Sequence, residues 1–172
     1  MALERLEKRF RLTAPLALMV FFFFVGFLDV PVPRIGILRP NLLLMAVYYW
    51  SVNRPTMVPP GLCFFAGLLM DILAGTPLGI NALTLVAVQW VVSDQRRFLM
   101  AQPYTTVWAG FGFVAAAAAL LQWALHGLAS WQWLPLSTAG IALAVNLLLF
   151  PLVTLLLVAV HRILPVAARS VP

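Results

Sequence analysis

The sequence predicts an all-α polytopic membrane protein: one domain over residues 1–172, built as a compact bundle of six transmembrane helices. Hydrophobic residues make up 63% of the chain and charged residues 9%, with a mean hydropathy of +1.01. A soluble domain is roughly half apolar and a quarter charged, so this composition could not cover a water-facing surface. The apolar residues gather into runs of membrane-spanning character joined by short polar links. Six such runs place nearly all the basic residues on one side, which is the third observation.

The first run, about 12–28, follows the basic start MALERLEKRFR. It begins like a signal peptide, but the apolar stretch is long and no small-residue cleavage pattern follows Leu28, so it reads as a retained span. The second, 40–53, is short; at 1.5 Å per residue it covers about 21 Å, against roughly 30 Å of hydrocarbon. The remaining runs are 57–74, 77–92, 103–125 and 136–160. Pro40, Pro77 and Pro103 stand at or near segment starts, where the missing N–H has no partner to lose. With six spans, Arg5, Lys8, Arg9, Arg11, Arg54, Arg96, Arg97, Arg162 and Arg169 share one side and only Arg34 and Arg39 the other. That bias puts both termini in the cytoplasm. The loop with Trp131 and Trp133 carries no Lys or Arg and suits the outer boundary. The net charge of +6 therefore speaks to orientation and anionic membrane lipid; no basic–aromatic face for nucleic acid is present.

Asp71 is the residue most out of place. It sits among apolar neighbours in GLLMDILAGTPLGIN, where a charged side chain costs on the order of 3 kcal/mol by insertion scales. It also lies near the C-terminal end of its helix, where the dipole disfavours a carboxylate. The next helix offers a remedy. Thr76 as N-cap and Pro77 as first helical residue would expose the N–H groups near Leu78, Gly79 and Ile80, and helix N-termini receive anions. We expect Gly75, Thr76, Pro77 and Gly79 to form a turn that lets Asp71 clamp onto that terminus, onto Arg39, or onto both. A carboxylate at the outer headgroups and an ionisable group in a transport path are the alternatives. Arg39, Pro40 and Asn41 open the second segment; Arg39 either snorkels to headgroups or pairs with Asp71.

Small residues in the fifth segment, Gly110, Gly112 and the run Ala115 to Ala119, allow close helix approach, within the bundle or against a partner's helix. Asn146 lies mid-span in the sixth and is expected to bond a neighbouring helix, while Pro151 frees the Leu147 carbonyl. The single cysteine, Cys63, reads as a small buried apolar residue. His126 and His161 lack a metal-binding frame. No GxSxG, P-loop or HExxH motif and no paired carboxylates occur, so no catalytic residue, metal or cofactor is expected.

The stretch from Pro40 to about Leu83 resembles the bacterial rod shape-determining protein MreD family. The likeness rests on Arg39-Pro40-Asn41-Leu42-Leu43-Leu44, Tyr49-Trp50, Arg54-Pro55, and Gly67 to Leu73 followed by Gly75-Thr76-Pro77-Leu78-Gly79-Ile80-Asn81-Ala82-Leu83. Asn81 stands where histidine or another residue is often seen in the family, so no role tied to that side chain is implied. The resemblance implies a six-helix protein of the bacterial inner membrane that acts as a non-enzymatic scaffold in cell elongation and peptidoglycan synthesis. It implies MreC as the first partner, within a complex with MreB, RodA, RodZ and a class B penicillin-binding protein. It also implies the fold of the substrate-binding subunits of energy-coupling-factor transporters. A small-molecule-binding transporter subunit is the second reading, with Asp71, Arg39, Asn81 and the Trp131–Trp133 loop around a pocket. An enzyme acting on lipid-linked precursors is a third.

Overall fold

Hydrocarbon offers the backbone no hydrogen-bond partner, so apolar segments close their bonds within helices. The computed structural model describes residues 17–26, 30–32, 36–38, 40–131, 133 and 135–163. These comprise α1 (17–25), α2 (Leu42–Asn53), α3 (Pro60–Ala74), α4 (Ile80–Met100), α5 (Tyr104–Ser130) and α6 (Leu136–Ile163). A 3-10 turn, Pro55–Met57, precedes α3. Between α1 and α2, β1 (Val30–Val32) and β2 (Gly36–Leu38) form a two-stranded antiparallel ladder with Pro31 opposite Ile37. Two helices are long and apolar enough to cross a membrane, Tyr104–Ser130 in α5 and Ala139–Ala159 in α6.

Helix α2 is apolar on every side, and every residue from Leu42 to Val52 is buried. A helix of that kind belongs inside a bundle. It contacts α4, α5 and α6, and Met19, Phe22 and Phe23 of α1 join the same core. The shortness that sets this segment apart in the sequence thus belongs to a central helix enclosed by longer ones. At its centre Tyr48 meets Phe111 of α5 and Phe150 of α6 edge-on, at centroid separations of 5.3 and 5.8 Å. The two phenylalanines stack at 4.0 Å. The Tyr48 hydroxyl donates to the Val107 carbonyl at 2.9 Å, so its polar end is partnered.

Buried residues of α3 are Cys63, Gly67 and Asp71, a stripe at four-residue spacing that faces one way. This stripe permits a close helix approach: a Cβ on Gly67 would collide with backbone atoms of Asn81 and Ala82 in α4. In α6, Pro151 lies inside the helix and cannot donate to the Leu147 carbonyl. That carbonyl instead accepts from the Trp108 indole N–H of α5 at 3.3 Å.

Several boundaries depart from the sequence expectations. Helix α4 starts at Ile80 and runs to Met100 rather than covering 77–92. Loss of hydropathy after Val92 marks the end of an apolar run, but Gln95, Arg96 and Arg97 are good helix formers and the helix continues through them. Pro40 precedes α2 instead of opening it; Asn41 is the N-cap, its side chain accepting from Leu44 N–H. The apolar run from 57 is interrupted by the 3-10 turn, and α3 begins at Pro60. Helix α5 continues past 125 to Ser130.

Gly67→Ala should cost about 3 kcal/mol through overpacking of the α3–α4 contact. Gly61→Ala, where an added Cβ meets nothing within 4 Å, should be neutral or stabilising by up to about 1 kcal/mol. Thermal unfolding of the two purified variants in one detergent checks the contrast.

Candidate functional site

Asp71 is completely buried, and both of its carboxylate oxygens are occupied. Oδ1 accepts from the Thr76 hydroxyl at 2.9 Å, from the Asn81 backbone N–H at 3.1 Å and from Asn81 Nδ2 at 2.8 Å. Oδ2 accepts from the Gly79 N–H at 2.9 Å. Its main-chain carbonyl closes the end of its own helix, accepting from the N–H groups of Gly75 and Thr76. One residue therefore finishes α3 and starts α4.

The local sequence makes this possible through two glycines. Gly75 sits at φ 66° and terminates α3; Gly79 sits at φ 102° as the N-cap of α4. Both values lie where a side chain is disfavoured. Gly79 has no side chain with which to cap its own helix, so Asp71 takes the N-cap role from the preceding helix and binds the N–H two residues inside α4. The negative carboxylate thereby leaves the unfavourable end of one helix dipole for the favourable end of the next.

The geometry corrects the expected turn. Thr76 is not the N-cap and Pro77 is not the first helical residue; the cap is Gly79. Pro77 is part of the link, its carbonyl accepting from Ile80 N–H at 3.5 Å. The backbone donors to Asp71 are Gly79 and Asn81, not Leu78 or Ile80. Arg39 lies outside the described residues, as do Arg34 and the basic residues before residue 12.

Beyond Asp71 the network continues into α5. The Asn81 side chain donates to Asp71 and accepts from Gln122 Nε2 at 2.8 Å. Sequence reasoning gave Asn81 no role in the clamp and passed over Gln122 altogether. A lone amide within an apolar span was the available signal, the same one that singled out Asn146. Asn146 Oδ1 accepts the Asn41 backbone N–H at 3.0 Å, tying the start of α2 to α6. Asn41, Thr76, Asn81, Gln122 and Asn146 all line one cavity of about 230 Å³. A second cavity, of about 270 Å³, lies at the opposite end of α2, where Tyr49, Asn53, Gln102 and Tyr104 contribute to its wall.

The small residues of α5 are used inside the bundle. A Cβ on Gly110 would press on the Tyr48 hydroxyl at 3.0 Å, and one on Gly112 on a Leu147 methyl at 3.1 Å. Ala115 is buried and Ala119 half-buried. Cys63 is a buried free thiol. Among the described residues no group of three His, Cys, Asp or Glu side chains is arranged to hold a metal ion.

Asp71→Asn keeps one acceptor oxygen for Thr76 and Asn81 and loses only the Gly79 contact, which should cost about 1–3 kcal/mol. Asp71→Leu leaves every one of these donors unpaired and should cost more than about 4 kcal/mol, enough to lose the fold. Limited proteolysis at the α3–α4 link, with thermal unfolding, separates the two; equal behaviour would show that the carboxylate is dispensable.

Comparison with known proteins adds identity to this geometry. The chain is similar to the rod shape-determining protein MreD of Haemophilus influenzae, 32% identical over 56 residues, which are 33% of this chain and 35% of that protein. It thus spans about a third of the length of the curated relative it matches. No solved structure is a significant match. A family model described as rod shape-determining protein MreD matches residues 8–160. With nearly the whole of the described bundle inside that match, the chain belongs to the rod shape-determining protein MreD family.

Proposed function

We propose that this protein is a non-enzymatic scaffold in the bacterial inner membrane that serves rod-shape determination by docking other membrane proteins of the elongation machinery. The family match over 8–160 carries this reading. MreC is the proposed first partner, with MreB, RodA, RodZ and a class B penicillin-binding protein in the larger complex. The mechanism is helix–helix packing on a bundle whose own polar groups are turned inward. Asp71, Asn81, Gln122 and Asn146 are engaged with one another or with neighbouring backbone. The outward faces of α5 and α6 carry Phe113, Leu120, Leu148 and Leu155, each more than half exposed, which suits lipid and a partner's helix alike.

The proposed topology is six spans with both termini cytoplasmic. The lining of the cavity near Asp71 supports the alternation of the helices, and the distribution of basic residues supports the side. The cavity wall draws on the end of α1, the start of α2, the end of α3, the start of α4, the second half of α5 and the first half of α6. Successive helices therefore run in alternating directions, as six consecutive crossings require. The proposed fold is that of the substrate-binding subunits of energy-coupling-factor transporters. Of the described residues that the transporter-subunit reading puts around a pocket, only Asn81 lines this cavity; Asp71 is enclosed beside it, and Trp131 and Trp133 are not on its wall.

In a rod-shaped host, depletion of this protein should round the cells. Plasmid-borne wild-type chain should restore rods, and Asp71→Leu should not. MreC should co-purify from native membranes with the wild type. Rods that persist through depletion, with wall synthesis still patterned, would sink the scaffold reading.

A further inference from the structure

The cavity beside the Asp71 network has a fixed hydrogen-bonding pattern. Asn81 donates to the carboxylate, so its Oδ1 faces Gln122 and receives Nε2–H. That order assigns the Gln122 amide, leaving Oε1 as an acceptor and the second Nε2–H as a donor. On the other wall Asn146 Oδ1 is taken by the Asn41 N–H and Asn41 Oδ1 by the Leu44 N–H. Both of those side chains keep Nδ2 as a donor, with no further partner among the described residues. No described residue lining the cavity is charged, and the Asp71 carboxylate is fully enclosed by its donors. An ion entering would meet no counter-charge among the described residues, and stripping its water would be costly. A neutral group carrying an acceptor beside a donor would find both complements.

The room for such a group comes from small side chains. Ala115, Ala118 and Ala119 share one face of α5 with Gln122, and Ala142 faces them from α6. At about 230 Å³ the space falls below the roughly 300–1,000 Å³ of drug-sized pockets, which limits the occupant to about one ring. We infer that this cavity is a binding site for a small neutral ligand bearing a carboxamide, lactam or imide group, with Gln122 as its principal acceptor and Asn146 as its opposing donor. The inference requires neither the scaffold reading nor a transport step.

Nicotinamide and thymine serve as neutral probes, and nicotinate as a charged control of the same size as nicotinamide. Saturation-transfer NMR titrations on the full chain in detergent should show saturable binding of at least one neutral probe and none of nicotinate. Ala118→Leu and Ala142→Leu fill the cavity from two helices and should each abolish the signal. Gln122→Met keeps the side-chain length without the amide and should weaken binding roughly tenfold or more. Thermal unfolding identifies which variants fold, and any one folded variant decides. The inference is overturned if neither neutral probe saturates by about 10 mM, if nicotinate binds as well as nicotinamide, or if folded variants bind like the parent. Rod-shape complementation by the same variants reads the scaffold role separately.

Discussion

A helix that begins within an apolar environment exposes backbone N–H groups that nothing nearby will accept. In this chain the start of α4 is in that position, because its capping residue is a glycine with φ 102° and no side chain. Asp71 resolves the problem from eight residues upstream. Placing a carboxylate there is unfavourable for α3 alone, and leaving α4 uncapped is unfavourable for α4 alone. Together the two defects cancel, provided that α3 and α4 approach closely enough. Gly67 and its neighbour Ala82 set that distance. The close approach, the two left-handed glycines and the buried acid form one interdependent device, and the cavity wall built from Asn81 and Gln122 is referenced to it.

The same logic recurs at weaker points of the bundle. Where α2 starts, Asn41 N–H goes to Asn146 of α6. Where Pro151 breaks the ladder of α6, the orphaned carbonyl goes to Trp108 of α5. Where the central tyrosine brings a hydroxyl into the core, it goes to a carbonyl of α5. At these three points a defect in one helix is answered by a different helix. Between lipid-soluble helices, hydrophobic burial adds little to association. Such cross-braces, together with the Phe111–Phe150 stack, hold the register.

How much of this was legible in the sequence depended on the physical signal. Asp71 stands out because a charge among apolar residues is costly, and its turn is legible in Gly75 and Gly79. The exact start of α4 is not, because Thr76 and Pro77 make a locally sensible cap and only the tertiary position of Asp71 decides against it. The far end of α4 lies beyond the apolar run because apolar runs report membrane depth while helices follow backbone propensity. Gln122 is hard to find in the sequence because a single amide in a long alanine-rich helix is a weak signal until its partner on α4 is known. The short 40–53 segment was an anomaly when judged as a lipid-facing span and is ordinary as an axial helix.

That axial helix has a consequence for the dielectric profile of the molecule. Its 12 residues extend about 18 Å, while α5, with 27 residues, extends about 40 Å. The two cavities lie at the two ends of this short helix, one by Asn41 and the other by Asn53. With both cavities hydrated and α2 along the membrane normal, the dry path through the centre of the protein would be little more than half the surrounding hydrocarbon thickness of roughly 30 Å. A transmembrane voltage falls mainly across low-dielectric material, so the field would be steepest over α2. The side chains at its two ends, including the amides by Asp71, would then sit at the edges of that drop and not outside it.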